Sequence, residues 1–229
     1  MFFFPLRDEG TSEDLPVVTG LLMAACILVA CVEFWTVPRD QFEAFVRMFG
    51  LVPFNLFNFV EAPIAAVAAV SNLATSMFLH GGWSHLIGNM AILWVVGNRV
   101  EDVMGHGRFL LFYLLCGLVA AFAHAAANPA STVPMVGASG AIAGMMGAFL
   151  LLHPLRNVRV LLGLVWWFRT FPLPALVLFG PWFYLQLYMA WTDQGGNVAV
   201  WAHIAGFMAG LVLLPLFKRQ EVPLLEGVL

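Results

Sequence analysis

The sequence predicts an all-α membrane protein, a single bundle of six transmembrane helices, and three observations carry that prediction. Of its 229 residues, 62% are hydrophobic and only 10% are charged, with a mean hydropathy of +0.90; soluble domains carry about a quarter charged residues. The apolar residues fall into six runs near the roughly 20 residues that cross a bilayer. None of these runs alternates with the period of two that a barrel strand requires, so their backbone hydrogen bonds must close within helices.

The elements follow in order. The opening MFFFPLRDEG has no basic region ahead of an apolar stretch and turns acidic at Asp8, Glu9, Glu13 and Asp14. It does not read as a cleaved signal, and residues 1–15 are expected to form a short cytoplasmic tail. Span one covers 16–35. The connection 36–81 is long and rich in apolar residues, among them Phe42, Phe45, Phe49, Phe54, Phe57 and Phe59, and is expected to lie in the outer interface. Spans two and three are expected over 82–103 and 107–127, and span four, the shortest, over 138–153. The stretch from Arg156 to Phe171, with Trp166 and Trp167 among basic residues, reads as an interfacial piece on the inner side. Spans five and six, 173–192 and 199–217, complete one domain over 16–217. Residues 218–229 form a second cytoplasmic tail.

Lys and Arg fix the expected orientation. One side holds Arg7, Arg99, Arg108, Arg156, Arg159, Arg169, Lys218 and Arg219, the other only Arg39 and Arg47. Both termini are therefore expected in the cytoplasm. A net charge of −3 with no basic run argues against a nucleic-acid partner. Cys26, Cys31 and Cys116 lie in apolar runs without metal-type spacing and read as small buried hydrophobes. The absence of an internal repeat gives no support to an inverted-repeat transporter.

Polar residues inside spans are costly and mark functional candidates. These are His80, Ser84, His85 and Asn89 near the start of span two, His124 at the end of span three, Ser139 at the start of span four and His203 near the start of span six. His85 and Asn89, four residues apart, project from one helix face. Ser139 lies in VGASGAIAGMMG, where Gly137, Gly140 and Gly144 accompany it. His203 lies in AHIAGFMAG with Gly206 and Gly210. Helices pack closely through such small-residue stripes, and packing these two against each other would bring the Ser139 hydroxyl to the His203 imidazole. The same GxxxG also allows dimerisation, so a homo-oligomer through small-residue helix faces stays open.

These groups supply the parts of acyl transfer. Neutral imidazole is the usual base for a serine hydroxyl, which makes Ser139 the nucleophile and His203 the general base. The oxyanion would be held by the Ser139 backbone N–H, the Asn89 amide and His85. No carboxylate is placed to orient His203, which favours a dyad over a triad. No cofactor is expected. His80 and His85 form an HxxxxH pattern, but five residues is a poor shared face and no third ligand follows, so no metal is expected. His106, His124 and His153 show no partner and are placed at helix ends near water. Asn55, Asn58, Asn72 and Asn98 read as loop or helix-end residues.

With HGGWSHLIGNM from His80, GASG around Ser139 and AHIAGFMAG from Ala202 in this order, the sequence resembles the rhomboid family of intramembrane serine proteases over about 75–217. The resemblance implies a rhomboid-like six-transmembrane-helix bundle with a membrane-associated first loop at 36–81. It implies Ser139 as nucleophile, His203 as base, and His85 and Asn89 at the oxyanion hole. It also implies a cap near Asp193–Val198 and a side gate in span five around Pro181–Leu187. Two departures stand out: the aromatic that many members carry four residues after the serine is Ala143 here, and the adjacent Trp-Arg pair of the first loop is missing.

The expected function is thus intramembrane endopeptidase activity on transmembrane protein substrates, within a lipid bilayer expected to be a bacterial inner membrane, with the site opening outward. The competing expectations are a non-catalytic rhomboid-like protein that binds membrane clients, and a small transporter or channel.

Overall fold

Each expected span is a helix in the computed structural model, which describes residues 2–8, 15–58, 60, 62–164, 167–196 and 198–226. In chain order the helices are α1 (Val17–Trp35), α2 (Phe42–Phe49), α3 (Pro53–Phe57), α4 (Pro63–Thr75), α5 (Trp83–Met104), α6 (His106–Ala127), α7 (Ser139–Leu152), α8 (Ala175–Thr192) and α9 (Val200–Phe217). By length and composition α1, α6 and α9 each suffice to cross a membrane; α5 passes the same test together with α4, from which it is bent by 76°. Glu9, Glu13, Asp14, Phe59, Trp166 and Asn197, which entered the expectations above, lie outside the described residues.

The bundle is built around α7. Residues 140–149 of this helix are all buried, against α5, α6 and α9. Glycine makes that possible. A Cβ at Gly206 would fall on the Gly140 carbonyl, one at Gly210 on the Gly144 carbonyl, and one at Gly147 on the Phe207 carbonyl. Backbone therefore meets backbone along α7 and α9, with no room for a single methyl group. Gly206 and Gly210 are buried in this contact, so of the two uses left open for their GxxxG they serve internal packing. Gly137 is reassigned. It is not a helix-packing residue but sits in the loop before α7 at φ +124°, with its N–H donating to the Ser76 carbonyl.

The far end of α5 carries a polar knot. The first-turn N–H groups of α1 have no intrahelical acceptor, and Pro16 supplies no side-chain cap. Glu101 takes that role across the chain, accepting from the Val18 and Thr19 N–H groups at 2.8 Å each. His106 closes on the same carboxylate at 2.6 Å. His106 was expected without a partner, and the cap shows why it has one: a buried carboxylate needs further donors. His153, likewise expected near water, is buried beside Glu226. Asn72, read as a loop or helix-end residue, lies in the last turn of α4, where it is buried and donates to the Met48 and Gly50 carbonyls.

A three-stranded antiparallel sheet was not foreseen. Strands β1 (Phe2–Asp8), β2 (Asn157–Leu164) and β3 (Trp167–Pro174) are arranged in the order β1-β2-β3. The segments read as a tail and an interfacial stretch are therefore hydrogen-bonded to each other, with Phe2 opposite Gly163 and Asp8 opposite Val158. Asp8 reaches Arg99 at 3.6 Å and Arg156 at 3.8 Å, while Pro5 and Leu6 lie against the α5 face that carries Trp83 and Trp94. The first strand thus runs beside α5 instead of hanging free. Pro5 is tolerated because β1 is an edge strand whose register shifts between Pro5 and Arg7.

The 36–81 connection forms α2, α3, α4 and a 3-10 turn over Ser76–Phe78. It is tied to the segment leading into α7 by reciprocal bonds between Leu51 and Met135, at 3.0 and 2.7 Å, and by the Phe54 N–H to the Ser131 carbonyl at 2.9 Å. This clamp holds the approach to Ser139.

Candidate active site

Ser139 is the first residue of α7, where backbone N–H groups have no intrahelical partner and the helix dipole favours negative charge. His203 lies in the first turn of α9. Because α7 and α9 touch backbone to backbone, the two side chains meet, with His203 Nε2 2.8 Å from Ser139 Oγ. Both line a cavity of about 940 Å³ together with His85, Asn89, His124 and Trp182. His124, expected at a helix end without a partner, lies in the last turn of α6 and lines this cavity, with its Nδ1 buried and unpartnered among the described residues.

His85 and Asn89 reach the cavity from α5 as one helix face. The Gly81 N–H points at His85 Nδ1 at 3.4 Å, an arrangement that leaves the proton on Nε2. The Asn89 Nδ2 is buried with no hydrogen-bond partner among the described residues. A buried amide donor without an acceptor is costly, on the order of 1–3 kcal/mol, and Asn89 lines the same cavity as Ser139 and His203. Gly137 makes the approach possible: a Cβ there would stand 2.7 Å from His85 Cε1 and 2.8 Å from its Nε2.

His80 stands behind these groups. It is fully buried, its ring lies edge-on to His85 with centroids 5.3 Å apart, and its backbone N–H donates to Glu33 Oε2 at 3.1 Å. Among the described residues no three His, Cys, Asp or Glu side chains converge as metal ligands would.

Two residues that sequence reasoning passed over complete the surroundings of His203, and both come from α8. Gln186 Oε1 lies 2.8 Å from His203 Nδ1, and the Trp182 ring lies over the imidazole with centroids 5.5 Å apart and planes tilted by 44°. Ala143 is buried and offers no ring, and the aromatic neighbour of His203 comes from α8 as Trp182. The signal for Gln186 was present: it is a strongly polar amide in the middle of an apolar span.

A family model of the Rhomboid domain matches residues 67–220, about two thirds of the chain. The chain belongs to the rhomboid family. Rhomboid protease GluP of Bacillus subtilis is 46% identical over 94 residues, 41% of this chain and 18% of that protein. Putative rhomboid protease YdcA of the same bacterium is 29% identical over 140 residues, 52% of this chain and 70% of the relative. The human presenilin-associated rhomboid-like protein, mitochondrial, is 30% identical over 142 residues, 61% of this chain and 34% of that protein. The alignment thus spans well under two thirds of two of these relatives. Membership makes the chain an integral, multi-pass membrane protein of a family that includes a rhomboid protease, GluP.

Proposed function

We propose that this chain is an intramembrane serine endopeptidase that hydrolyses peptide bonds in or beside transmembrane segments of other proteins. The observation that carries the reading is the 2.8 Å approach of His203 Nε2 to Ser139 Oγ in a cavity lined by the donors His85 and Asn89.

The chemistry follows from those groups. Ser139 Oγ attacks the scissile carbonyl carbon while its proton passes to His203 Nε2, giving a tetrahedral oxyanion. Asn89 Nδ2, His85 Nε2–H and the Ser139 backbone N–H hold that charge. As the C–N bond breaks, the His203 imidazolium returns the proton to the departing amine. Water then attacks the acyl-serine, gives a proton to His203, and releases the acid as Ser139 recovers its own. Substrates are helices with small or helix-breaking residues near the outer interface, because the chain must unwind before a carbonyl can reach Ser139. The proposed setting is a bacterial plasma membrane, with both termini cytoplasmic and the cavity opening outward; the excess of Lys and Arg on the terminal side supports the orientation, and the bacterial relatives support the setting.

The test uses purified protein in detergent or liposomes. It is expected to cleave a transmembrane reporter and to be labelled by a fluorophosphonate at Ser139, with both lost in Ser139→Ala. Cleavage that persists in Ser139→Ala overturns the reading. Copurifying membrane clients with neither labelling nor cleavage would favour the non-catalytic alternative.

A further inference from the structure

We propose that Gln186 is the positioning residue for His203, its carbonyl oxygen holding the imidazole as the Nδ1–H tautomer with Nε2 free to take the Ser139 proton. This deepens the protease reading and rests on it for its kinetic consequence, though not for the tautomer itself.

The geometry makes the assignment. His203 has two ring nitrogens, and each meets one side chain at 2.8 Å: Nε2 faces the Ser139 hydroxyl and Nδ1 faces the Gln186 Oε1. A carbonyl oxygen accepts only, so the proton between them belongs to His203 Nδ1. A neutral imidazole carries one proton, which leaves Nε2 as an acceptor, the state a general base requires. The reverse tautomer would present an N–H to Ser139 Oγ and stop proton transfer in the first step.

The surroundings indicate that the bond is built into the fold. Only three residues of α8 are buried, Ala175, Phe179 and Gln186. A span that exposes so much of itself spends one of its few buried positions on a primary amide. Trp182 precedes Gln186 by four residues, so the two share a helix face, and its ring covers the imidazole whose edge Gln186 holds. Phe183 stacks on Phe207 of α9 at 4.1 Å and fixes the rotation of α8 that aims both. Nothing among the described residues places a carboxylate on His203 Nδ1, so the neutral amide stands where a serine hydrolase more often uses Asp.

Two variants test this: Gln186→Met, which keeps length and burial but removes the acceptor, and Gln186→Glu, which restores one. With the transmembrane reporter, Gln186→Met is expected to lower kcat by about 100-fold, the lower end of what general-base catalysis contributes, with KM unchanged. Gln186→Glu is expected to recover most of that loss. The tautomer is read independently of activity by nitrogen NMR on histidine-labelled protein, with the His203 signals assigned by their loss in His203→Ala. Wild type is expected to show a protonated Nδ1, and Gln186→Met to lose this preference at an unchanged melting temperature. A wild type protonated on Nε2, or a Gln186→Met variant with full kcat, overturns the proposal. A protonated Nδ1 in a wild type that cleaves nothing would support the Gln186 assignment while sinking the protease reading.

Discussion

At the scale of single residues, the site depends on donors and acceptors that have little company. Asn89 Nδ2 is buried and unpartnered, and His85 presents its Nε2–H because the Gly81 N–H occupies the other nitrogen. If both serve the oxyanion, losing one weakens the transition state and leaves substrate binding untouched. Asn89→Ala is therefore expected to reduce kcat by about 10²-fold with KM held, as removal of an oxyanion donor does elsewhere; a parallel rise in KM would assign Asn89 to binding instead. Most of this was readable beforehand, since Ser139, His203, His85 and Asn89 are polar residues in expensive places. Gln186 meets the same criterion, but it is a neutral amide, and a carboxylate is the group that more often orients a catalytic histidine. Trp182 could not have been found from Ala143, which tells that a ring is absent but not which helix replaces it.

At the scale of elements, the glycine positions were the clearest signal. Gly140 and Gly144 against Gly206 and Gly210 dictate that α7 and α9 pack without intervening side chains, and that contact sets the Ser139 to His203 distance. The sheet was harder to see. Its one legible trace is Val158-Arg159-Val160, where the two valines are buried and the arginine is not, a period-2 fragment too short to outweigh the aromatic and basic residues around it. The cap on α1 was out of reach because it joins residues more than eighty positions apart. Glu101→Ala leaves the Val18 and Thr19 N–H groups without their acceptor and is expected to cost about 2 kcal/mol, of the order of a buried hydrogen-bond loss. The check is the melting temperature in detergent, beside fluorophosphonate labelling of the surviving folded fraction, which should keep its wild-type rate.

At the scale of the whole molecule, the chain divides into a deeply buried part and a more exposed one. The α7–α9 seam and the clamp between Leu51 and Met135 hold Ser139 in place, while α8 lies with few residues buried and a proline, Pro181, inside it. The two groups that support His203 ride on that less embedded helix, so the base and the serine are secured by different parts of the bundle. The brevity of α7 has a consequence for the lipid. Its 14 residues rise about 21 Å, some 9 Å less than a typical hydrocarbon core of about 30 Å. Hydrophobic mismatch then makes the membrane a rheostat. Because α7 is enclosed by its neighbours, the bilayer acts at the rim of the cavity: a thin one sets the water surface near the level of Ser139, whereas a thick one raises hydrocarbon around the opening through which hydrolytic water must enter. Reconstituted in phosphatidylcholines of increasing acyl length at equal fluidity, the protein is expected to hydrolyse its reporter progressively more slowly, and a rate indifferent to chain length would show that the cavity draws its water by a route the lipid does not control.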